Sequence, residues 1–192
     1  MGNSKIVIGF DIDGTLVDHA DAKIAFAASR GIMLLPEETP SDIMKSRFPK
    51  ELVRDMQRYI YESVEGGTKQ PLMPGAKEAL TTLREREIPF FFISRRRGDE
   101  SKKNALIILE RNGILDQYID REKIIFLPTI EEKAAAAHER GITHFLDDEV
   151  KALEAMTLVS HRIFFDQFDI FGNIFPFPRI TKQVDGIIDY FL

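Results

Sequence analysis

The chain has 192 residues, of which 44% are hydrophobic and 30% charged, and its formal net charge is −5. This length predicts one domain with a sizeable core, and the balanced composition excludes a disordered chain or a coiled coil. The acidic balance argues against a nucleic-acid polymer as partner, because binding to a phosphate backbone requires a basic excess.

Five short apolar runs predict the strands of a sheet, at residues 5–11, 88–94, 123–128, 143–147 and 162–166. Each run is continuous rather than alternating, which is typical of parallel strands covered on both faces. Helical patterns separate the later runs, at residues 74–86, 99–112 and 129–140. This alternation predicts an α/β fold with a mostly parallel sheet.

One connection, residues 17–73, is too long for an ordinary crossover between strands. It contains helical patterns of its own near residues 22–29, 41–48 and 52–64. We therefore expect a small helical lobe at 17–73, inserted into a core formed by residues 1–16 and 74–192. Its basic side chains either form a solvated helix face or contact an anionic substrate; they are Lys45, Arg47, Arg54 and Arg58.

The end of the chain carries an aromatic, proline-interrupted segment at 168–178, followed by a pattern at 180–191 that favours a closing helix. The aromatic side chains either pack over the edge of the sheet or line a ligand site. The four histidines show no spacing typical of a metal site, so we expect surface or core roles for them.

No apolar run is long enough to cross a bilayer, so we expect no membrane partner. The first ten residues, MGNSKIVIGF, contain no signal-peptide hydrophobic stretch. Cysteine is absent, which excludes disulfides and thiolate metal sites and agrees with a reducing compartment. These observations predict a cytoplasmic protein, and they leave its oligomeric state open.

The strongest chemical signal is the octet DIDGTLVD, residues 11–18, at the end of the first predicted strand. Asp11 and Asp13 can both turn towards one point there. Gly14 and Thr15 permit a tight turn that places backbone N–H groups and a hydroxyl beside them. Because neighbouring carboxylates repel each other, the site either keeps a proton or recruits a cation. A hard divalent ion such as Mg²⁺ suits such oxygen ligands.

The octet resembles the first signature of the haloacid dehalogenase (HAD) superfamily, most of whose members are phosphatases with an aspartate nucleophile. Three further signatures follow in the family's order: Ser94 closes the second strand, Lys133 lies in the helix before the fourth, and Asp147-Asp148 closes the fourth. The resemblance covers nearly the whole chain. It implies a Rossmann-like HAD core with a five-stranded sheet of order 3-2-1-4-5 and a small helical cap at 17–73.

The resemblance also implies catalytic roles. Asp11 is expected to attack phosphorus and become a transient aspartyl-phosphate, and Asp13 to act as general acid and then as general base. A magnesium ion is expected to bind the Asp11 carboxylate, the backbone carbonyl of Asp13 and the Asp148 carboxylate. Asp147 is expected to support these ligands without contacting the ion.

The phosphate group is expected to contact residues from three segments. Ser94 donates a hydrogen bond to a phosphate oxygen, and Lys133 adds positive charge while restraining the nucleophile. Gly14 and Thr15 contribute to the same binding site. Of the three arginines that follow Ser94, we expect Arg95 to contact phosphate or substrate and the other two to be solvated.

An acid at position 13 favours a phosphatase, although the family's phosphomutases share it. The cap implies a small phosphorylated metabolite as partner. Residues 162–173 (RIFFDQFDIFGN) partly resemble the end of the family's deoxyribonucleotidases, which favours a nucleoside monophosphate, with a sugar phosphate as the alternative. A phosphomutase and a catalytically weak binding or regulatory protein also stay open.

Overall fold

The computed structural model describes residues 6–190. Six parallel strands form one sheet in the order β3-β2-β1-β4-β5-β6. The strands are β1 (Ile8–Phe10), β2 (Phe90–Arg95), β3 (Ile124–Leu127), β4 (His144–Asp147), β5 (His161–Asp166) and β6 (Arg179–Thr181). The expected order 3-2-1-4-5 is present, but the expected count of five was wrong. Lys5, in the first predicted run, lies outside the described residues.

The sixth strand replaces the first part of the closing helix expected at 180–191. In β6, Ile180 pairs level with Phe165 of β5 and is buried, so pairing at the sheet edge prevails over the helical pattern. A 3₁₀ helix, Val184–Tyr190, follows the strand. Of the last two positions of the expected helix, residue 190 ends this 3₁₀ helix and residue 191 lies outside the described residues.

The aromatic segment before β6 packs against the sheet. The rings of Phe171 and Phe175 lie 5.5 and 5.1 Å from the ring of Phe164 in β5, both in edge-on geometry. Edge-on aromatic pairs of this kind stabilise a packed surface. Packing over the sheet, one of the two alternatives for this segment, is therefore what these phenylalanines do.

Helices cover both faces of the sheet, as expected for parallel strands. Within residues 6–190 the α-helices are α1 (Ala20–Ser29), α2 (Ser41–Arg47), α3 (Lys50–Glu62), α4 (Val64–Gly67), α5 (Ala76–Glu85), α6 (Asp99–Arg111), α7 (Ile130–Glu139) and α8 (Val150–Ala155). Side chains of α5 and α6 join the larger hydrophobic cluster, whereas those of α7 and α8 join a second cluster. None of these helices combines the length and apolar character that a bilayer crossing requires.

The first four helices lie in the connection 17–73, which we call the insertion. The first three of them share a separate apolar cluster that includes Phe26, Met44 and Met56. The two segments that link the insertion to the sheet run side by side, because Val17 pairs with Leu72 in an antiparallel bridge. The insertion thus leaves and re-enters the core at one place, directly after the DIDGTLVD turn.

Candidate active site

The carboxyl ends of β1, β2 and β4 meet at one edge of the sheet. Asp11 directly follows β1, Ser94 is the last residue but one of β2 and Asp147 is the last residue of β4. Because β1 lies between β2 and β4, these three side chains are brought together. The carboxyl edge, where the strand order reverses, is where open α/β sheets bind ligands.

Lys133, from the first turns of α7, connects two of these carboxylates. Its Nζ donates hydrogen bonds to Asp11 Oδ1 at 2.5 Å and to Asp147 Oδ2 at 2.7 Å. All three side chains are buried. Burial alone would lower the pKa of Lys133, but Asp11 and Asp147 outweigh it and raise this pKa above its usual range, so the ammonium group stays charged.

Asp11, Asp147 and Asp148 form a three-carboxylate cluster, with one oxygen from each lying within 4.8 Å of the others. Burial, reinforced by the charge of Asp147 and opposed by Lys133, raises the pKa of Asp11 to about 7. Burial also raises the pKa of Asp147 and that of Asp148. Three carboxylates face one hydrogen-bonded ammonium group, so the ionised cluster carries excess negative charge. This all-oxygen donor set fits a hard divalent cation such as Mg²⁺.

The two aspartates at the end of β4 differ in how their oxygens are used. Asp147 accepts from Lys133 through Oδ2 and from the Glu149 N–H through Oδ1, at 2.9 Å. Asp148 accepts no hydrogen bond from any residue between 6 and 190. Gly14 packs directly on the Asp148 carboxylate: a Cβ there would overlap it, and φ is +86°, so the turn requires glycine.

The carboxylate of Asp13 lies outside this cluster and is bound from three other directions. Arg96 donates to both of its oxygens, with Nε 2.8 Å from Oδ2. His19 Nε2 lies 2.8 Å from Oδ1, and Ser94 Oγ donates to Oδ2 at 3.2 Å. Burial alone would raise the pKa of Asp13, but Arg96 and His19 outweigh it and hold this pKa well below its usual range. Asp13 is therefore ionised in this arrangement.

The arginine run after Ser94 is used differently from the expectation. Arg96, expected to be solvated, is only 2% exposed; besides Asp13, it donates to the Ser101 carbonyl and lies over the ring of Tyr61. Side chains two positions apart leave an extended strand on the same side, so Arg96 follows Ser94 towards Asp13. The prediction that Arg96 is solvated was wrong, and its position two residues after Ser94 was the signal for its burial.

Arg95 instead points to the rim of the site. It donates to Glu149 Oε2 at 2.8 Å, while Lys45 from α2 donates to Glu149 Oε1 at 2.7 Å. Burial alone would raise the pKa of Glu149, but Lys45 and Arg95 lower it below its usual range. This carboxylate thus connects the insertion to the core, and a contact of Arg95 with phosphate stays a prediction.

These elements enclose a cavity that we call the Asp11 pocket. The core contributes every residue singled out as catalytic or metal-binding, and the insertion contributes polar side chains from α2 and α3; the principal lining residues are Asp11, Asp13, Ser94, Lys133, Asp147, Asp148, Ser41, Lys45, Gln57 and Tyr61. The motif residues, although far apart in sequence, therefore share one cavity with the insertion.

His19 is a contact that sequence reasoning missed. It is buried, and burial lowers its pKa, so the imidazole is neutral beside Asp13. Its Nδ1 and the Thr15 hydroxyl are buried without a hydrogen-bond partner among residues 6–190. No motif relates His19 to Asp13, so the sequence carried no signal for the pairing.

Comparison with solved structures identifies the fold as that of the HAD superfamily. A haloacid dehalogenase-like hydrolase from Streptococcus pneumoniae superposes with a TM-score of 0.65 at 14% identity, covering 100% of both chains. A HAD-superfamily hydrolase from Ehrlichia chaffeensis gives 0.61 at 15% identity, over 99% of this chain and 97% of that one. A predicted phosphoglycolate phosphatase from Haemophilus somnus gives 0.60 at 16% identity, over 98% of each chain. No protein-family model and no curated protein matches the sequence.

The Asp13–Arg96 ion pair should contribute measurably to stability. Arg96→Met leaves a nearly buried carboxylate without its main partner, which costs about 3 kcal/mol in free energy of unfolding. Adding Asp13→Asn should recover part of this loss, because the amide carries no charge. Urea unfolding of the two single variants and the double variant measures the coupling. Arg97→Met, at an exposed neighbouring arginine, is the matched control, and an equal loss there would contradict the assignment.

The three-carboxylate cluster predicts opposite effects of Asp148→Asn in chelator and in Mg²⁺. In excess chelator the variant should melt at a higher temperature than the wild type, because it removes a charge that burial, Asp147 and Asp11 disfavour. In Mg²⁺ at about 100 times Kd the wild type should gain about 2.7 kcal/mol and the variant much less.

Thermal unfolding followed by circular dichroism checks this reversal. Asp189→Asn, at an exposed carboxylate far from the cluster, should behave as the wild type in both conditions. A wild type whose melting temperature does not change when Mg²⁺ is added would contradict a cation site here.

Proposed function

We propose that this protein is a phosphatase of the HAD class, which hydrolyses a small phosphomonoester with Mg²⁺ through an aspartyl-phosphate on Asp11. The observation that carries the proposal is the buried Asp11 carboxylate, held by Lys133 beside Asp147 and Asp148 at the carboxyl edge of the sheet. The HAD fold and the hydrolases that share it agree with this reading.

Asp11 is the proposed nucleophile. Lys133 binds its Oδ1 and fixes the carboxylate, so Oδ2 is free to attack phosphorus. A bond forms from Oδ2 to phosphorus as the ester P–O bond breaks, and the electron pair leaves with the alkoxide. Because the pKa of Asp11 is raised to about 7, the attacking form needs further positive charge to be fully populated at neutral pH.

The three-carboxylate cluster would supply that charge by holding a cation. Asp11, Asp148 and the backbone carbonyl of Asp13 would hold Mg²⁺, which when bound offsets the negative charge of the carboxylates and of the phosphate. The unused oxygens of Asp148 support a direct role for this residue. Asp147, with one oxygen on Lys133 and the other on the Glu149 N–H, is suited to fix Lys133 instead.

Asp13 is the proposed acid and base. Its ionised state suits the second half of the reaction, in which it accepts a proton from the water that attacks phosphorus and releases Asp11. The first half requires the opposite: Asp13 must exchange its contact with Arg96 for a proton before it can protonate the leaving oxygen. The position of Arg96 therefore controls which half-reaction Asp13 can serve.

The remaining motif residues would bind the phosphoryl group. Ser94 would turn its hydroxyl from Asp13 to a phosphate oxygen, and Lys133 would add a fixed positive charge at the opposite side. Gly14 and Thr15 would contribute the backbone of the turn that follows Asp13. Arg95 would join them only by releasing Glu149.

A small substrate is favoured because the insertion lines the Asp11 pocket with Ser41, Lys45, Gln57 and Tyr61. Nucleoside monophosphates and sugar phosphates are the two substrate classes within this proposal. The nucleotidase subtype rests on the segment 162–173 alone, whose Phe171 packs on β5. A phosphomutase shares the same residues and differs in the lifetime of the aspartyl-phosphate.

Phosphate release from a panel of small phosphomonoesters tests the proposal. With Mg²⁺ the wild type should release phosphate from at least one class, and Asp11→Asn should lose the activity by a factor of more than about a thousand, because the amide is a poor nucleophile. Chelator should abolish turnover, and added Mg²⁺ should restore it.

Asp189→Asn is the control for charge loss and should keep full activity. Retained turnover in Asp11→Asn would contradict the nucleophile assignment. A folded wild type that releases no phosphate from any ester, but interconverts sugar phosphates when supplied with a bisphosphate, would identify a mutase instead.

A further inference from the structure

A second cavity opens beside the Asp11 pocket, between α3 of the insertion and the loop after β2. Its volume is about 270 Å³, against about 60 Å³ for the Asp11 pocket. Five arginines line it, and we call it the arginine cleft: Arg54, Arg58, Arg95, Arg96 and Arg97. Because the whole chain carries a net charge of −5, this concentration of positive charge is a local feature.

The insertion builds its side of the cleft from one helix face. Four side chains at positions i, i+3, i+4 and i+7 of α3 line the cleft: Arg54, Gln57, Arg58 and Tyr61. The opposite face of the helix is buried in the insertion through Met56 and Ile60. Packing of α3 therefore turns its arginines towards the core.

Three of the five guanidinium groups are not neutralised by a buried carboxylate. Arg54 makes no hydrogen bond or ion pair with any residue between 6 and 190. Arg58 lies 3.8 Å from the half-buried Asp55, and Arg97 uses only Nε, on the Pro128 carbonyl. Their remaining N–H groups can therefore bind a ligand.

The other two arginines are already paired. Arg95 donates to Glu149, and Arg96 is held by Asp13. Glu62 is the one acidic side chain among the residues that line the cleft. The cleft therefore keeps an excess of positive charge that a bound anion would offset.

The cleft is continuous with the proposed reaction site. Gln57, Tyr61 and Arg95 line both the arginine cleft and the Asp11 pocket. The Asp11 pocket is the smaller of the two cavities. A substrate whose phosphoryl group lies at Asp11 can therefore extend past these shared residues into the cleft, where the arginines lie.

We propose that the arginine cleft binds a second anionic group of the substrate, so that the preferred substrates are small phosphomonoesters with a further phosphate or carboxylate. Guanidinium groups bind both anions through paired N–H donors. Arg54 and Arg58 are the specificity-determining residues from the insertion, with Arg97 facing them. This inference rests on the proposed phosphatase function and disfavours a plain nucleoside monophosphate, which has one anionic group.

Matched pairs of esters test the inference: glucose 6-phosphate against glucose 1,6-bisphosphate, and ethyl phosphate against 2-phosphoglycolate. The first pair adds a phosphate and the second a carboxylate. Affinity is measured by calorimetry with Mg²⁺ and the Asp11→Asn variant, and KM and kcat with the wild type. In at least one pair the member with the second anionic group should bind more than about tenfold tighter, the difference appearing in KM.

Replacement of both insertion arginines, Arg54→Gln with Arg58→Gln, should reduce this preference to about one. Both side chains are exposed on α3, so the fold should survive the change. The control removes two positive charges elsewhere on the insertion, by Arg30→Gln with Lys50→Gln, and should keep the preference. This comparison separates a contact from a general change in net charge.

Equal binding of both members of each pair, or a preference that survives in the Arg54/Arg58 variant, would overturn the inference while leaving phosphatase activity intact. A preference that depends on these arginines in the binding experiment, without phosphate release by the wild type, would support the second-anion site. That result would contradict the proposed function instead.

Discussion

Lys133 hydrogen-bonds two members of a cluster of three carboxylates, and the balance of charge there governs the rest of the site. It ties Asp11, after β1, to Asp147, at the end of β4, and so connects the two central strands at their carboxyl ends. Its charge does not neutralise Asp148 as well. Burial raises the pKa of all three carboxyl groups, and neighbouring carboxylates raise the pKa of Asp11 and of Asp148 further. A bound divalent cation would offset the negative charge of this cluster, which would link metal binding to the ionisation of the proposed nucleophile.

The pKa values of two carboxyl groups only two residues apart are shifted in opposite directions. Asp11 lies among other acids and keeps a raised pKa, whereas Asp13 is bound by Arg96 and stays ionised. Environments that push the pKa values of neighbouring acids apart are how one site assigns them different roles. The ring of Tyr61, from the insertion, lies 5.0 Å from the Arg96 guanidinium. The insertion therefore contacts the guanidinium group that binds Asp13, and it also carries Arg54 and Arg58 of the arginine cleft.

Much of the site was predictable because its residues lie where parallel strands end. Asp11, Ser94 and Asp147 each follow or close a continuous apolar run, and neighbouring strands necessarily bring such residues together. Lys133 was predictable from the family signature and not from geometry. β6 was missed because three residues with one buried side chain, Ile180, carry almost no strand signal.

The choice between Arg95 and Arg96 depended on which side of the extended chain each leaves. Ser94 and Arg96 lie on the same side of the chain, but this spacing predicts a contact for Arg96 only when a carboxylate is known to lie on that side. The partner, Asp13, lies 83 residues earlier in the chain. His19 shows the same limit, since its burial beside Asp13 follows from how the insertion leaves the core. Contacts of this kind arise from tertiary packing, which a local pattern does not encode.

The central claim is that Asp11 carries the phosphoryl group during turnover. Mass spectrometry of wild-type protein quenched in acid during turnover of its best substrate tests it directly. The account predicts one added phosphoryl group on the peptide that contains Asp11, absent when chelator is present and absent in Asp11→Asn. Turnover with no modified peptide, together with inversion rather than retention of configuration at a chiral phosphorus, would contradict it. In that case water would attack the substrate without a covalent step.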